Sequence, residues 1–385
     1  MAGIYIHIPF CTKACHYCNF HFSTSTHHIE RMVAAIVQEI NTLPFPAQDI
    51  DKNIETIYFG GGTPSVLNNE QLQSILNACY EKFLVTENAE ITLEANPDDI
   101  TRERLKGWRQ LGFNRLSIGV QSFADSDLKW MNRAHNSATA ADCIAMAYEE
   151  RFEHLTIDLI YGTPTLSNEQ LLINLKTAVN LGINHISCYA LTVEENTALD
   201  YFIKKGKIAP VNEEVQDEHF HIMRQYLTDN GFEHYEISNF AKPGHRSRHN
   251  SNYWSGRPYY GFGPSAHSFN GDKMRWWNIA NNVLYMDGIE KYQPVYEVEN
   301  LTQEERINEI IMTGLRTTDG LHIDEANNKI GAYKTTPEAF LTFISTLRSY
   351  ITEGKIIYKN NTAIINSEHR FLSDGIASDL FLSYD

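Results

Sequence analysis

The chain has 385 residues, 42% of them hydrophobic and 11% aromatic, which is enough for a large folded core and more than one minimal domain needs. Asp and Glu number 48 against 32 Lys and Arg, a formal charge of −16, and that balance excludes a broad nucleic-acid interface while leaving room for a local basic pocket. No apolar run of about 18 residues signals a membrane span, so membrane contact is peripheral at most. The N-terminus lacks the charged and apolar regions of a secretory signal, and clustered free thiols fit a reducing, cytoplasmic setting.

Taken in order, Ile4 to Ile8 is short, β-branched and alternating, and reads as a strand that delivers the chain into a cysteine-rich loop. Ile29 to Ile40 carries a helical period. Ile54 to Phe59 predicts a strand running into Gly60-Gly61-Gly62-Thr63-Pro64, with a helix from Asn69 to Phe83 behind it. The alternation continues with strands at Glu90–Glu94, Arg115–Val120, Leu155–Tyr161 and His185–Ala190. Between them lie helices at Thr101–Leu111, Asp125–Met131, Thr139–Arg151 and Asn168–Leu181. Six such units predict an α/β fold with a parallel sheet, wholly or partly closed as a barrel. Active residues in such folds gather at the C-terminal ends of the strands. The cysteine loop, the glycine turn, Glu94, Gln121, Asp158 and Ala190 all fall at or near such ends.

A helix at Glu213–Asn230 and a strand at His234–Ile237 follow, and then residues 239–282, rich in Gly, His, Tyr and Trp, show little periodicity. Beyond Leu301, helices at Gln303–Leu315, Asp324–Ile330 and Pro337–Glu353 precede two short strands flanking Asn360-Asn361, and Asp374–Leu382 closes the chain as a helix. Helices with a small hairpin predict a winged-helix-like module. The acidic balance and the lack of a Lys/Arg-rich helix favour a lid or docking role for it over DNA binding. The expected organisation is therefore a barrel over 1–238, a linking segment over 239–300 and a smaller, mostly helical unit over 301–385.

Half of the six cysteines fall within eight residues, Cys11, Cys15 and Cys18, spaced C-x3-C-x2-C. Thiolates are the ligands that iron–sulfur clusters and zinc prefer. Three of them fall short of the four protein ligands of a closed zinc site but suit a four-iron cluster with one iron left for a small molecule. A zinc site completed by His16 or His21, or three plain buried thiols, is the alternative. Cys79, Cys143 and Cys188 stand alone in apolar surroundings and read as packing residues. The Gly60–Gly62 turn would let backbone approach a ligand closely, or would be a tight turn only. Further on, His249-Asn250-Ser251-Asn252-Tyr253-Trp254 sets an imidazole beside large aromatics, which suits a haem with a His ligand but also ordinary packing.

With Tyr17 just before the third cysteine, the loop resembles the signature of the radical S-adenosylmethionine (SAM) superfamily. That resemblance implies a partial (β/α)6 barrel and a [4Fe–4S] cluster on Cys11, Cys15 and Cys18. It also implies SAM chelated on the open iron, and an electron donor whose electron cleaves SAM to methionine and a 5′-deoxyadenosyl radical. Gly61, Gly62 and Thr63 are similar to the family's glycine segment, which binds the amino group of SAM. The entry Tyr5-Ile6-His7-Ile8-Pro9-Phe10-Cys11, Ser117 to Phe123, Asn132-Arg133-Ala134-His135 and Asp158 to Gly162 resemble the coproporphyrinogen dehydrogenase branch. They imply a SAM region lined by Tyr5, Gly61, Glu94, Gln121, Arg133, Asp158 and Ala190.

H-N-x-x-Y-W resembles the motif of the haem-chaperone members of that branch, and it implies haem contact by His249 with Tyr253 and Trp254 nearby. Gly261 to Ser268 is similar to a family loop near the site and makes His267 a second candidate ligand. Two departures from the dehydrogenases favour the chaperones: Phe20 stands where dehydrogenases carry a fourth cysteine, and a motif beginning at Cys11 leaves no room for their N-terminal extension. The expected function is a haem chaperone that binds cluster, SAM and haem or porphyrin and passes haem to apo-haemoproteins, in a form compatible with a homodimer. The alternative is an oxygen-independent coproporphyrinogen III oxidase that converts propionates to vinyl groups.

Overall fold

Period-2 polarity in the predicted strands and period-3.6 polarity between them become βα units in the computed structural model, which describes residues 1–48, 50–324 and 337–382. The units are β1 (Ala2–Ile8), α1 (Ile29–Thr42), β2 (Asn53–Gly61), α2 (Asn69–Lys82), β3 (Leu84–Ala95), α3 (Arg102–Gln110) and β4 (Arg115–Gln121). They continue with α4 (Asp125–Trp130), α5 (Ser137–Glu149), β5 (His154–Tyr161), α6 (Asn168–Asn180) and β6 (His185–Ala190). Strands β1 to β6 lie side by side in sequence order, each parallel to the next, as helical crossovers require.

One set of alternate side chains, such as Ile4, Ile6, Ile57, Phe59, Leu93, Leu116, Ile118, Ile157 and Ile186, joins the helices in a single apolar core. The other set is polar and meets across the opposite face: Tyr5 with His7, Tyr58 with Glu94, and Arg115 with Thr156. The strands thus present a polar interior and an apolar exterior sealed by helices.

After α7 (Ala198–Lys204) and α8 (Glu213–Asp229) come β7 (Glu233–Glu236), β8 (Asn239–Ala241), α9 (Arg248–Trp254), β9 (Tyr259–Phe262), β10 (His267–Phe269), β11 (Met274–Asn278), α10 (Asn282–Glu290) and β12 (Tyr296–Asn300). Residues 239–282 are therefore more ordered than their weak periodicity suggested. Strand β9 runs parallel to β1 with Gly3 opposite Tyr259, while β8 lies antiparallel to β6, so this stretch extends both edges of the same sheet.

Helix α11 (Gln303–Arg316), begun by a capping box of Thr302 and Glu305, leads into a second apolar core that includes Ile307, Ile311, Phe343, Leu347 and Ile365. It is built with a helix at Pro337–Thr352 and a small antiparallel sheet in which Thr362–Ile365 pairs with both Leu321–His322 and Ile356–Lys359. The helix expected over Asp324–Ile330 lies almost entirely outside the described residues. Among the described residues, no helix is long and apolar enough to cross a membrane.

Candidate functional site

The cysteine loop leaves the C-terminal end of β1 and is closed at its base by two backbone bonds, Cys11 N–H to Ser23 O (3.0 Å) and Ser23 N–H to Pro9 O (2.9 Å). Beside it, β2 ends in Gly61, at φ +110°, and Gly62, whose N–H donates to Ile8 O at 2.9 Å. A Cβ on Gly62 would stand 2.6 Å from Phe10 O, so glycine lets these two backbones touch. Thr63 N–H then donates to Phe10 O (2.7 Å) and its hydroxyl to Cys11 Sγ (3.4 Å).

From the other side the segment after α4 grips the loop. Asn132 donates to Ala14 O, Lys13 to Arg133 O, and the Arg133 guanidinium to Cys15 Sγ (3.2 Å), Asn96 Oδ1 (2.7 Å) and Gly119 O (2.7 Å). Asn96 donates in turn to Thr63 Oγ1 at 3.2 Å. A polar belt therefore runs Cys11–Thr63–Asn96–Arg133–Cys15 across the ends of β2, β3 and β4. Tyr17 packs beside it, next to Leu128, Met131 and Leu199.

Cys11, Cys15 and Cys18 are free thiols and half-buried. Burial pushes the Cys11 thiol up to about 11 against the pull of the Thr63 hydroxyl, and burial also raises Cys18. Among the described residues, no three His, Cys, Asp or Glu converge on a point that would hold one metal ion. His16 Nδ1 is bonded to Trp130 O (2.9 Å) and His21 Nε2 to Asn282 Oδ1 (2.7 Å), so each histidine has a ring nitrogen committed away from the thiols. Three thiols on one loop without convergence suit a cluster, where each cysteine takes a different iron, better than a single zinc ion.

Inside the mouth, Glu94 accepts from Tyr58 Oη at 2.7 Å, and burial together with nearby Asp158 holds its carboxyl up at about 8. Asp158 is pushed up to about 6 by burial, against the hydroxyls of Ser187 and Ser117. Two half-buried carboxyls at one mouth, with no cationic side chain bonded to Glu94 among the described residues, suit a ligand that brings positive charge. Gln121 sits at φ +65° and is buried, and a Cβ on Gly119 would stand 3.0 Å from its amide nitrogen. Ala190 ends β6 opposite Tyr161. Tyr5, Gly61, Gly62, Thr63, Glu94, Gln121, Arg133, Asp158 and Ala190 thus surround one mouth. Asn96 joins them without having been singled out in the sequence; its signal was the period-2 continuation of Thr92 and Glu94.

The H-N-x-x-Y-W residues part company. His249 is 3% exposed in the barrel interior, near the N-terminal ends of β1 and β2. Its Nδ1 lies 2.8 Å from Thr56 Oγ1 and its Nε2 3.0 Å from Tyr253 Oη, and its ring stacks on Tyr58. Burial lowers its pKa to about 3. Glu90 fixes the start of α9, accepting from the N–H groups of Arg248 (3.1 Å) and His249 (3.0 Å). Tyr253 faces a cavity of about 420 Å³ that it shares with Tyr5, His7, Phe20, His21 and His267. Trp254 lies apart, in a cavity of about 220 Å³ against α11, with the Arg316 guanidinium 4.5 Å from its ring.

Residues 5–178 match the model of the radical SAM superfamily. The haem chaperone HemW of Mycobacterium tuberculosis is 32% identical over 384 residues, 98% of this chain and 94% of that protein. HemW of Bacillus subtilis is 36% identical over 335 residues, 86% of this chain and 87% of that protein. In fold, the chain is similar to the solved coproporphyrinogen III oxidase HemN of Escherichia coli, a radical SAM enzyme, with a TM-score of 0.84 over 99% of this chain and 90% of that one at 23% identity. Full-length similarity of this depth, on a barrel that carries three cysteines at its mouth, establishes that the chain belongs to the HemW family of the radical SAM superfamily.

Proposed function

We propose that the protein is a haem chaperone that holds a [4Fe–4S] cluster on Cys11, Cys15 and Cys18, binds SAM in the adjoining barrel mouth, and carries haem for transfer to apo-haemoproteins. The observation that carries the reading is the belt Cys11–Thr63–Asn96–Arg133–Cys15, which ties the thiol loop to three strand ends and sets it against Glu94 and Asp158. When bound, cluster and SAM would supply one-electron chemistry, fed by an electron donor. The protein's own part is to orient and to exclude water. Arg133 and Thr63 steer two of the three sulfurs, Gly61 and Gly62 let the end of β2 lie directly against the thiol loop, and Glu94 and Asp158 offer acceptors to the ligand's cationic groups. Haem has room beside this mouth, in the cavity walled by Tyr253.

The test is anaerobic reconstitution of the full chain, followed by iron and sulfide analysis, haem titration read by absorbance, and incubation with coproporphyrinogen, SAM and a reductant. Cluster formation with stoichiometric haem uptake and no vinyl product is the expected result. Vinyl product without specific haem uptake would instead identify an oxidase of porphyrin synthesis. Absence of both iron and sulfide would remove the cluster.

A further inference from the structure

We infer that haem sits in the cavity between β1 and the β9–β10 loop, with the His267 imidazole as its iron ligand and His249 as a positioning residue behind Tyr253. This inference rests on the chaperone reading and names the ligand that reading leaves open.

A haem ligand must offer an imidazole nitrogen that is unengaged and reachable. Three histidines line the 420 Å³ cavity. His7 has neither nitrogen to spare: Nδ1 lies 3.2 Å from Tyr5 Oη and Nε2 2.9 Å from His21 O. His21 is anchored through Nε2 to Asn282, which leaves it one free nitrogen, Nδ1, on a ring fixed to α10, against two on His267. His267 is exposed at the head of β10, stacks on Trp277 with ring centroids 5.7 Å apart, and has no hydrogen bond at either ring nitrogen among the described residues. His249 does not line the cavity at all, and both of its nitrogens are engaged.

The cavity itself fits a flat macrocycle. Its volume falls within the range of about 300–1,000 Å³ common for cofactor sites. Its walls include the rings of Tyr5, Tyr253 and Tyr259, and Phe20 stands at its mouth 67% exposed, a large apolar ring with nothing covering it.

The loop that presents His267 is held rigid from beneath. Buried Glu39 accepts from Gly263 N–H (2.9 Å), Asn278 Nδ2 (2.6 Å) and Tyr285 Oη (2.5 Å). Gly263 sits at φ +97°, where a Cβ would stand 2.4 Å from His7 O, so the loop lies directly on β1. A ligand fixed in this way needs little ordering when iron arrives. His249 acts one layer back, since its bond to Tyr253 Oη fixes the orientation of a wall.

The experiment titrates ferric haem into the full chain, wild type and variant, and reads the Soret band, the ligand-field bands and the iron–histidine stretch of the reduced form by resonance Raman scattering. Wild type should show histidine ligation. H267A should lose it and bind about tenfold more weakly or worse, a change of about 1.4 kcal/mol, and added imidazole should restore the histidine-type spectrum. H249A and Y253F should weaken uptake yet keep the wild-type ligation signature. Retention of histidine ligation in H267A with its loss in H249A would overturn the inference and leave the chaperone reading standing. A thiolate-type spectrum in wild type would overturn it equally. No haem uptake by wild type would overturn both.

Discussion

Glu90→Ala tests whether the barrel floor holds the H-N-x-x-Y-W helix in place. The Glu90 side chain accepts from two backbone N–H groups at the start of α9 and from Ser247 Oγ, and it pairs at 3.7 Å with Arg115, whose side chain is only 2% exposed. Hydrogen bonds to a charged group contribute about 1.5–3 kcal/mol each, and they are not additive within one network. Removing one partner of a buried ion pair costs about 3–5 kcal/mol, because the other charge stays buried without compensation. Arg115 keeps bonds to Thr156 Oγ1 and His245 O, which limits its share of the loss. The expected destabilisation is therefore about 3–5 kcal/mol, a large part of the roughly 5–15 kcal/mol typical of a folded protein. Glu90→Gln, which keeps an acceptor oxygen, should cost less. Urea denaturation followed by near-ultraviolet circular dichroism measures both. A Glu90→Ala midpoint equivalent to a loss of less than about 0.5 kcal/mol, the size of an ordinary surface substitution, would refute the argument.

Four further outcomes follow from the same geometry. The Glu94 carboxyl titrates at about 8 in the fold against 4.5 in the unfolded chain, so its stabilising contribution is complete below about 4.5 and lost as pH rises through 8. Glu94→Gln should flatten that decline, read as denaturation midpoints across the same interval. Arg133→Ala leaves Cys15, Asn96 Oδ1 and Gly119 O, all half-buried, without their donor, at about 1 kcal/mol for each; iron and sulfide retained after anaerobic reconstitution should fall, with Arg133→Lys between it and wild type. Gly263→Ala forces a Cβ against His7 O at positive φ and should cost about 2–5 kcal/mol, measured by thermal unfolding. Cys15→Ala should abolish the visible absorbance of the reconstituted cluster, and chelation of iron from wild type should do the same.

Local order was legible where local periodicity carries it. The strand at His185–Ala190 has the same bounds in sequence and structure, and the other βα units shift by a few residues at their ends. Strand β3 is the largest shift, starting at Leu84 rather than Glu90. Its first residues are mostly solvent-facing and fall outside every element the sequence predicts, yet Leu84 and Val85 pair with Asn53 and Ile54 across a register break. Strands β8 to β11 are three to five residues long, and β8 and β9 are specified by partners far away in the chain, His185 for Ala241 and Gly3 for Tyr259. Such pairing leaves no periodic trace.

The candidate site divides along the same line. The cysteines and the glycine turn announce themselves by spacing. Glu39 sits on an ordinary amphipathic helix, and its role comes from Asn278 and Tyr285, more than 230 residues on. No local pattern could have assigned it.

The spacing within H-N-x-x-Y-W itself explains why its three large side chains serve different places. A helix turns about 100° per residue, so positions four apart share a face and adjacent positions do not. His249 and Tyr253 therefore sit along the side of α9 that meets the barrel, edge to face at 5.0 Å with a hydrogen bond between them. Trp254, one step round, must leave that face. It meets α11 instead, where Arg316 covers its ring while also bonding Glu236 of β7. The motif is thus a short lever with one side in the barrel and the other on the C-terminal core.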